Sequence, residues 1–100
     1  MQKGGGILKA EFKIGEKKYV TIKVTSSGCK PFEITKAAYV LKKGEEVEES
    51  GDCEIVQKKD FSVMLQALIQ PQAKNAKYTL EITYEIPPEI LKYEVNIEVR

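Results

Sequence analysis

The chain has 100 residues, 42% hydrophobic and 31% charged, with a formal net charge of +1. This length predicts one domain with a single core. The near-neutral charge predicts no nucleic-acid partner, because phosphate binding needs a concentrated basic surface. No apolar run approaches the roughly 18 to 20 residues that cross a bilayer, so the sequence also predicts no membrane association.

The first six residues, MQKGGG, contain no apolar stretch of the kind that directs export. Residues 1–6 are predicted to be a flexible leader or a cloning remnant, and residues 7–100 one β-sandwich domain. The three glycines do not predict a phosphate-binding loop, since no strand precedes them and no lysine-serine pair follows. The sequence leaves the cellular compartment open.

From Ile7 onward, apolar and polar residues alternate with a period of two. Successive side chains of an extended chain point to opposite faces, so this alternation predicts half-buried strands. The segments ILKAEFKI and YVTIKVT are the first two such strands, and GEKK supplies a turn between them. Their inward residues are predicted to be Leu8, Ala10, Phe12, Ile14, Val20, Ile22 and Val24. The segment SSGCKP then interrupts the pattern.

Residues 34–41 fit either a strand or a helix. Ile34, Ala37 and Leu41 have helical spacing, but the β-branched and aromatic content favours a strand. In a strand, Phe32 and Ile34 have the opposite parity to Ala37 and Leu41. A β-bulge near residue 36 would reconcile the two sets.

Residues 60–69 are ambiguous in the same way. Phe61, Met64, Leu65 and Leu68 form a helical stripe, with Asp60 available as an N-cap. The preferred strand interpretation turns the residues Val63, Leu65, Ala67 and Ile69 inward. It leaves Met64 and Leu68 on the outer face, where they would form an interaction patch.

The segment GEEVEESGDCEIVQ is predicted to form a hairpin around Gly51-Asp52, with Val47 on one arm and Cys53 and Ile55 on the other. Its acidic residues are Glu45, Glu46, Glu48, Glu49 and Asp52. Alternation would place Glu46 and Glu48 on one face and Glu49 on the other, with Glu45 either beside Glu49 or in the preceding turn. The pattern indicates a solvated edge strand whose charges oppose unwanted pairing, and it lacks the spacing of a calcium loop.

The last third of the chain has the clearest alternation. Tyr78 to Ile86 and Leu91 to Val99 form two strands with charged outer faces, separated by Pro87-Pro88, which must interrupt the ladder. These two strands are predicted to be an antiparallel pair. The whole pattern predicts an all-β, two-layer antiparallel sandwich of seven or eight strands.

The segment LIQPQAKNAKYTLEITY resembles the corner of fibronectin type III and other immunoglobulin-like domains, through Leu68, Pro71, Tyr78, Leu80 and Ile82. In those domains a strand ends in leucine, a proline-containing loop crosses between the sheets, and a tyrosine opens the next strand. The resemblance implies that the Tyr78 hydroxyl bonds to the preceding loop and fixes a structural corner. The chain departs from the pattern in having no tryptophan and a longer loop.

A second resemblance is to the small β-sandwich modules of tailed-phage baseplate and tail accessory proteins. It is carried by Ala37, Tyr39 and Leu41, followed by Ser50, Gly51, Cys53 and Ile55. It implies membership of a larger assembly, in a virion or in the host cytoplasm.

The chain contains no histidine, the commonest general base and a favoured zinc ligand. The sequence therefore predicts no enzyme, no metal and no cofactor. Cys29 and Cys53 could form a disulfide, since their loops would lie at the same end of the sandwich, or remain as two reduced thiols.

The first functional hypothesis is a non-catalytic structural or interaction module with protein partners or self-association, as part of an assembly such as a phage tail or baseplate. Met64 and Leu68, or an exposed edge strand, would make the contacts. The alternative is an immunoglobulin-like repeat of a bacterial surface or secreted protein that binds carbohydrate. Tyr19 is the main outward tyrosine for such a site, and one aromatic ring is a poor platform for a sugar.

Overall fold

A computed structural model describes residues 2–5, 9–26, 32–57, 62–73 and 77–100. These residues form nine β-strands and no helix. The strands are β1 (Gln2–Gly5), β2 (Lys9–Phe12), β3 (Lys18–Ser26), β4 (Lys36–Lys43), β5 (Glu46–Asp52), β6 (Glu54–Gln57), β7 (Ser62–Ile69), β8 (Lys77–Ile86) and β9 (Glu89–Val99). No helix that could span a membrane occurs in these ranges.

The strands form two sheets, which confirms the predicted all-β sandwich, although the described residues form nine strands and not seven or eight. One sheet has the order β1-β3-β7-β6 and the other the order β2-β9-β8-β4-β5. The predicted antiparallel pair at the end of the chain is β8 and β9, joined by a turn at Pro87-Pro88. One pairing departs from an antiparallel sandwich, because β2 runs parallel to β9.

The core lies between the two sheets and follows the two-residue period of the sequence. The buried apolar residues of β3, β7, β8 and β9 are Val20, Ile22, Val24, Val63, Leu65, Ala67, Ile69, Tyr78, Leu80, Ile82, Tyr84, Val95, Ile97 and Val99. Each was predicted to face inward. The same prediction is wrong for Ile14, which is 48% exposed in the turn after β2, and Ile86, Leu91 and Tyr93 are only half-buried. Burial of apolar area is the main force that holds two such sheets together.

Both ambiguous segments contain strands, as preferred. The predicted bulge near residue 36 is wrong, because β4 begins at Lys36 and residues 32–35 lie outside any strand. Ile34 is buried from this loop, so it need not share the parity of Ala37. The register shift of β4 lies instead between Leu41 and Lys42, opposite β5.

The predicted hairpin at Gly51-Asp52 is also wrong. The turn between β4 and β5 lies at Gly44-Glu45, where Gly44 has a φ of 63°, a conformation that glycine adopts without strain. Gly51 and Asp52 belong to β5, and the chain passes at Cys53 to β6 in the other sheet. Gly51 was assigned to a turn because the sequence does not show whether a glycine forms a turn or leaves room for a neighbouring side chain.

Residues 2–5 of the expected leader lie in a strand. Gln2–Gly5 forms β1 and pairs with β3 in antiparallel register. Glycine carries no side chain that could show alternation, so this strand left no periodic signal in the sequence. Its main-chain groups are sufficient to extend a sheet edge.

Candidate interaction surface

An apolar patch lies on the outer face of the four-stranded sheet. It consists of Tyr19, Val56, Met64 and Leu68, and we call it the outer-face patch. Tyr19 is the cross-strand neighbour of Leu68, and Val56 that of Met64. Tyr19 is 50% exposed, and the other three side chains are half-buried. The two residues singled out in the sequence, Met64 and Leu68, thus have further apolar neighbours on adjacent strands.

A polar row crosses the middle of the outer-face patch. Gln66 lies between Thr21 on β3 and Glu54 on β6. Lys23 is the neighbour of Met64 on β3. Apolar groups beside a few polar ones are typical of surfaces that bind other proteins.

A shallow pocket of about 260 Å³ adjoins the Tyr19 end of the patch. We call it the rim pocket. Its lining residues are Tyr19, Tyr39, Asp52, Glu54, Gln66 and Leu68. The change of sheet at Cys53 creates it, because Asp52 ends β5 and Glu54 begins β6.

Tyr39 connects the two sheets beside the rim pocket. Its hydroxyl donates a hydrogen bond of 3.1 Å to the Leu68 carbonyl oxygen. Burial, followed by the nearby Glu49 and Cys53, raises the pKa of Tyr39, so the phenol remains a neutral donor. Its cross-strand neighbour is Gly51, where an added Cβ would lie 3.1 to 3.3 Å from the hydroxyl and ring. Gly51 therefore makes room for the phenol.

We expect Gly51→Ala to lower the free energy of unfolding by about 1–2 kcal/mol, because the new methyl group crowds the ring of Tyr39. In a Tyr39→Ala background the same change should instead stabilise the protein by about 0.5 kcal/mol, since alanine loses less backbone entropy than glycine. Urea unfolding of the four proteins measures both effects. Destabilisation of equal size in both backgrounds would show that the ring is not the cause.

The Tyr78 hydroxyl makes two hydrogen bonds at the loop before β8. It accepts one of 2.9 Å from the backbone N–H of Ala73 and donates one of 2.8 Å to Oε1 of Glu48. Burial and then the bond to Glu48 raise the pKa of Tyr78, so the hydroxyl keeps its proton. Pro71 is buried in the same loop, and Leu68 lies near the end of β7. These contacts motivate the proposal that Leu68, Pro71 and Tyr78 form a structural corner.

Two glutamates of β5 hold the same loop. Oε2 of Glu49 accepts a 2.9 Å hydrogen bond from the N–H of Gln70, and Oε2 of Glu48 accepts one of 3.1 Å from the N–H of Gln72. Glu49 pairs with Leu41 and Val47 with Lys42, which leaves Glu48 as the extra residue of a bulge. A bulge redirects a side chain. It brings Glu48 to the loop that Glu49 also contacts.

The sequence-based prediction placed Glu48 and Glu49 on opposite faces of the strand and exposed the whole acidic run to solvent. That expectation is wrong for these two half-buried residues, and a one-residue bulge is the reason. No signal in the run marks the bulge. The remaining acidic residues of the run, Glu45, Glu46 and Asp52, are exposed.

Cys53 is buried at the crossing between β5 and β6, and it forms no disulfide within the described residues. Burial, and to a lesser extent Asp52, raises the pKa of this thiol to about 11. Cys29, the possible disulfide partner, lies outside the described residues, so a bridge and two reduced thiols both stay open alternatives. Within the described ranges, no group of three or more His, Cys, Asp or Glu residues could hold a metal ion.

Comparison with known proteins identifies the class of fold. No protein-family model matches the chain, and no curated protein matches it. Among solved structures, murine CRIg is similar with a TM-score of 0.55 and 13% sequence identity, over 100% of this chain and 98% of that one. The titin M3 domain gives a TM-score of 0.47 and 16% identity, over 99% of this chain and 96% of that one.

The likeness to CRIg shows the fold at a level of identity that carries no functional information. The protein is an immunoglobulin-like β-sandwich. Such domains usually centre on a buried tryptophan, which this sequence lacks. Leu41 of β4 and Leu80 of β8 are buried cross-strand neighbours in its core.

Proposed function

We propose that the protein is a non-catalytic interaction module that binds proteins, a second copy of itself among them, through its outer-face patch. The observation that carries the proposal is two pairs of apolar cross-strand neighbours, Tyr19 with Leu68 and Val56 with Met64, on a sheet face that points away from the core. Apolar groups left at the surface are stabilised when a partner covers them.

The other sheet provides an internal comparison. Its two long strands β8 and β9 present a mainly polar outer face, formed by Thr79, Glu81, Thr83, Lys92, Glu94 and Asn96. Lys42 of β4 forms an ion pair of 2.7 Å with Glu81, and this contact lowers the pKa of the glutamate. Such a face is well solvated alone. The five-stranded sheet also exposes Val47 and Ile90, but their cross-strand neighbours are the polar Lys42 and Glu85, whereas Leu68 and Met64 of β7 have apolar neighbours.

Self-association is the direct test. We expect the apparent mass of the protein in light scattering to rise with concentration, and Met64→Lys and Leu68→Lys to abolish the rise, because a buried unpaired charge is costly at an interface. Asn96→Lys adds the same charge to the exposed face of β9 and should associate like the parent. A parent that stays monomeric throughout, and variants indistinguishable from it, would contradict the proposal.

The finer proposal is that the module belongs to a larger assembly such as a phage tail or baseplate. It is supported by the sequence scheme of Ala37, Tyr39 and Leu41 with Ser50, Gly51, Cys53 and Ile55. Genes for tail or capsid proteins beside the gene of this protein would support it. A neighbouring secretion or sortase cluster would favour a surface protein instead.

The second candidate function is carbohydrate binding by a surface or secreted repeat. The observation that favours it is the rim pocket, where Tyr39 joins Tyr19 beside Asp52, Glu54 and Gln66. Sugars stack on aromatic rings and bond to carboxylates and amides. Titration with simple methyl glycosides tests this candidate at the same residues.

A further inference from the structure

We propose that the rim pocket binds an arginine side chain of the protein partner, beside the apolar contact made by the outer-face patch. This inference rests on the proposed function and adds the chemistry of the partner. The lining residues of the rim pocket carry two carboxylates, two phenol rings and an amide, and none of them is a cation.

The carboxylates supply the charge that an arginine needs. Asp52 and Glu54 flank the buried Cys53 at the change of sheet, and both are exposed. Burial is the main cause of the raised pKa of the Cys53 thiol, and the nearby Asp52 adds to it. A guanidinium presents its N–H groups in a planar fork that matches a carboxylate, so this pair of acids favours arginine over lysine.

The tyrosines supply the surface on which a guanidinium stacks. Tyr19 is 50% exposed, so its ring is accessible from solvent. Tyr39 is fixed by its hydrogen bond to the Leu68 carbonyl oxygen, and its ring lies close to the backbone of Gly51. A ring fixed in this way loses little entropy on binding, and a cation over an aromatic face is attracted to its π electrons.

The position of the rim pocket links it to the outer-face patch. Tyr19 and Leu68 belong to both, and Gln66 leads from the pocket towards Met64 along β7. A partner segment that places apolar side chains over Leu68 and Met64 could therefore place an arginine between Asp52 and Glu54. The apolar contact would supply affinity, and the charged one would select the partner.

The test is an NMR titration of the isotopically labelled protein with Nα-acetyl-arginine methylamide. The neutral isostere Nα-acetyl-citrulline methylamide is the control ligand. We expect arginine to shift the resonances of Tyr19, Tyr39, Glu54, Gln66 and Leu68 with a dissociation constant of about 1–10 mM, and citrulline to shift none of them. Sodium chloride should weaken the arginine effect.

Variants locate the interaction. Asp52→Asn combined with Glu54→Gln should weaken arginine binding about tenfold, and Tyr19→Leu about threefold. Glu89→Gln combined with Glu94→Gln removes the same charge from exposed positions on β9 and should bind like the parent. Equal shifts with citrulline, or no effect of the Asp52 and Glu54 changes, would overturn the proposal. Shifts with methyl glycosides in place of arginine would assign the pocket to carbohydrate.

The two proposals can fail separately. Met64→Lys lies outside the rim pocket, so it should abolish self-association and leave the arginine titration unchanged. If arginine does not bind but Met64→Lys still abolishes association, only the pocket assignment is wrong. If arginine binds but the parent never associates, the role of the outer-face patch is wrong.

Discussion

Ile82→Ala is expected to lower the free energy of unfolding by about 2–5 kcal/mol. Ile82 has no exposed surface and lies at the centre of β8, so its truncation leaves a cavity between the sheets. The expected loss is a large fraction of the total stability of a domain this size. Urea unfolding monitored by circular dichroism measures it.

Ile90→Ala is the matched control, because it removes the same atoms from a side chain that is 67% exposed. Its effect should stay within about 0.5 kcal/mol. Ile82 has the inward parity of β8, and Ile90 has the outward parity of β9. The turn at Pro87-Pro88 shifts the alternation between the two strands. Equal effects of the two changes would contradict the assignment of the core.

Tyr78→Phe is expected to cost about 1–3 kcal/mol. The change removes one oxygen that serves both the N–H of Ala73 and the carboxylate of Glu48, and it leaves both groups without that partner. The loop before β8 should then exchange its amide protons faster. Thermal unfolding and hydrogen exchange at residues 70–73 measure the two effects.

Tyr84→Phe is the control for this prediction. Tyr84 is also buried, and among the described residues its hydroxyl has no hydrogen-bond partner. Its loss should change stability by less than about 0.5 kcal/mol. Combining Tyr78→Phe with Glu48→Ala gives a double-mutant cycle, in which the two effects should not add. Additive effects would show that the Tyr78–Glu48 contact contributes nothing.

The sandwich could be predicted because alternation directly records which side of a strand faces the core. Every residue predicted to point inward in β3, in β8 from Tyr78 to Tyr84, and in β9 from Val95 to Val99 is buried. The patch at Met64 and Leu68 was found by the same reasoning, since a strand at 62–69 turns both side chains outward.

Other features depend on contacts that a single strand does not encode. The bulge at Glu48 is a relation between β4 and β5, and the role of Gly51 depends on Tyr39 in the neighbouring strand. The rim pocket forms where the chain changes sheets. Its lining residues are far apart in the sequence, between Tyr19 and Leu68. Sequence reasoning named several of these residues and could not bring them together.

The most direct test of the interaction surface is methyl NMR with a soluble paramagnetic agent, applied at low and high protein concentration. At low concentration, we expect the agent to broaden the methyl signals of Val56, Met64 and Leu68 and to leave the buried Val63 and Leu65 sharp. At high concentration, the first three should become protected as copies associate. Broadening that is equal for both sets, or exposure of Met64 and Leu68 that does not change with concentration, would contradict the account.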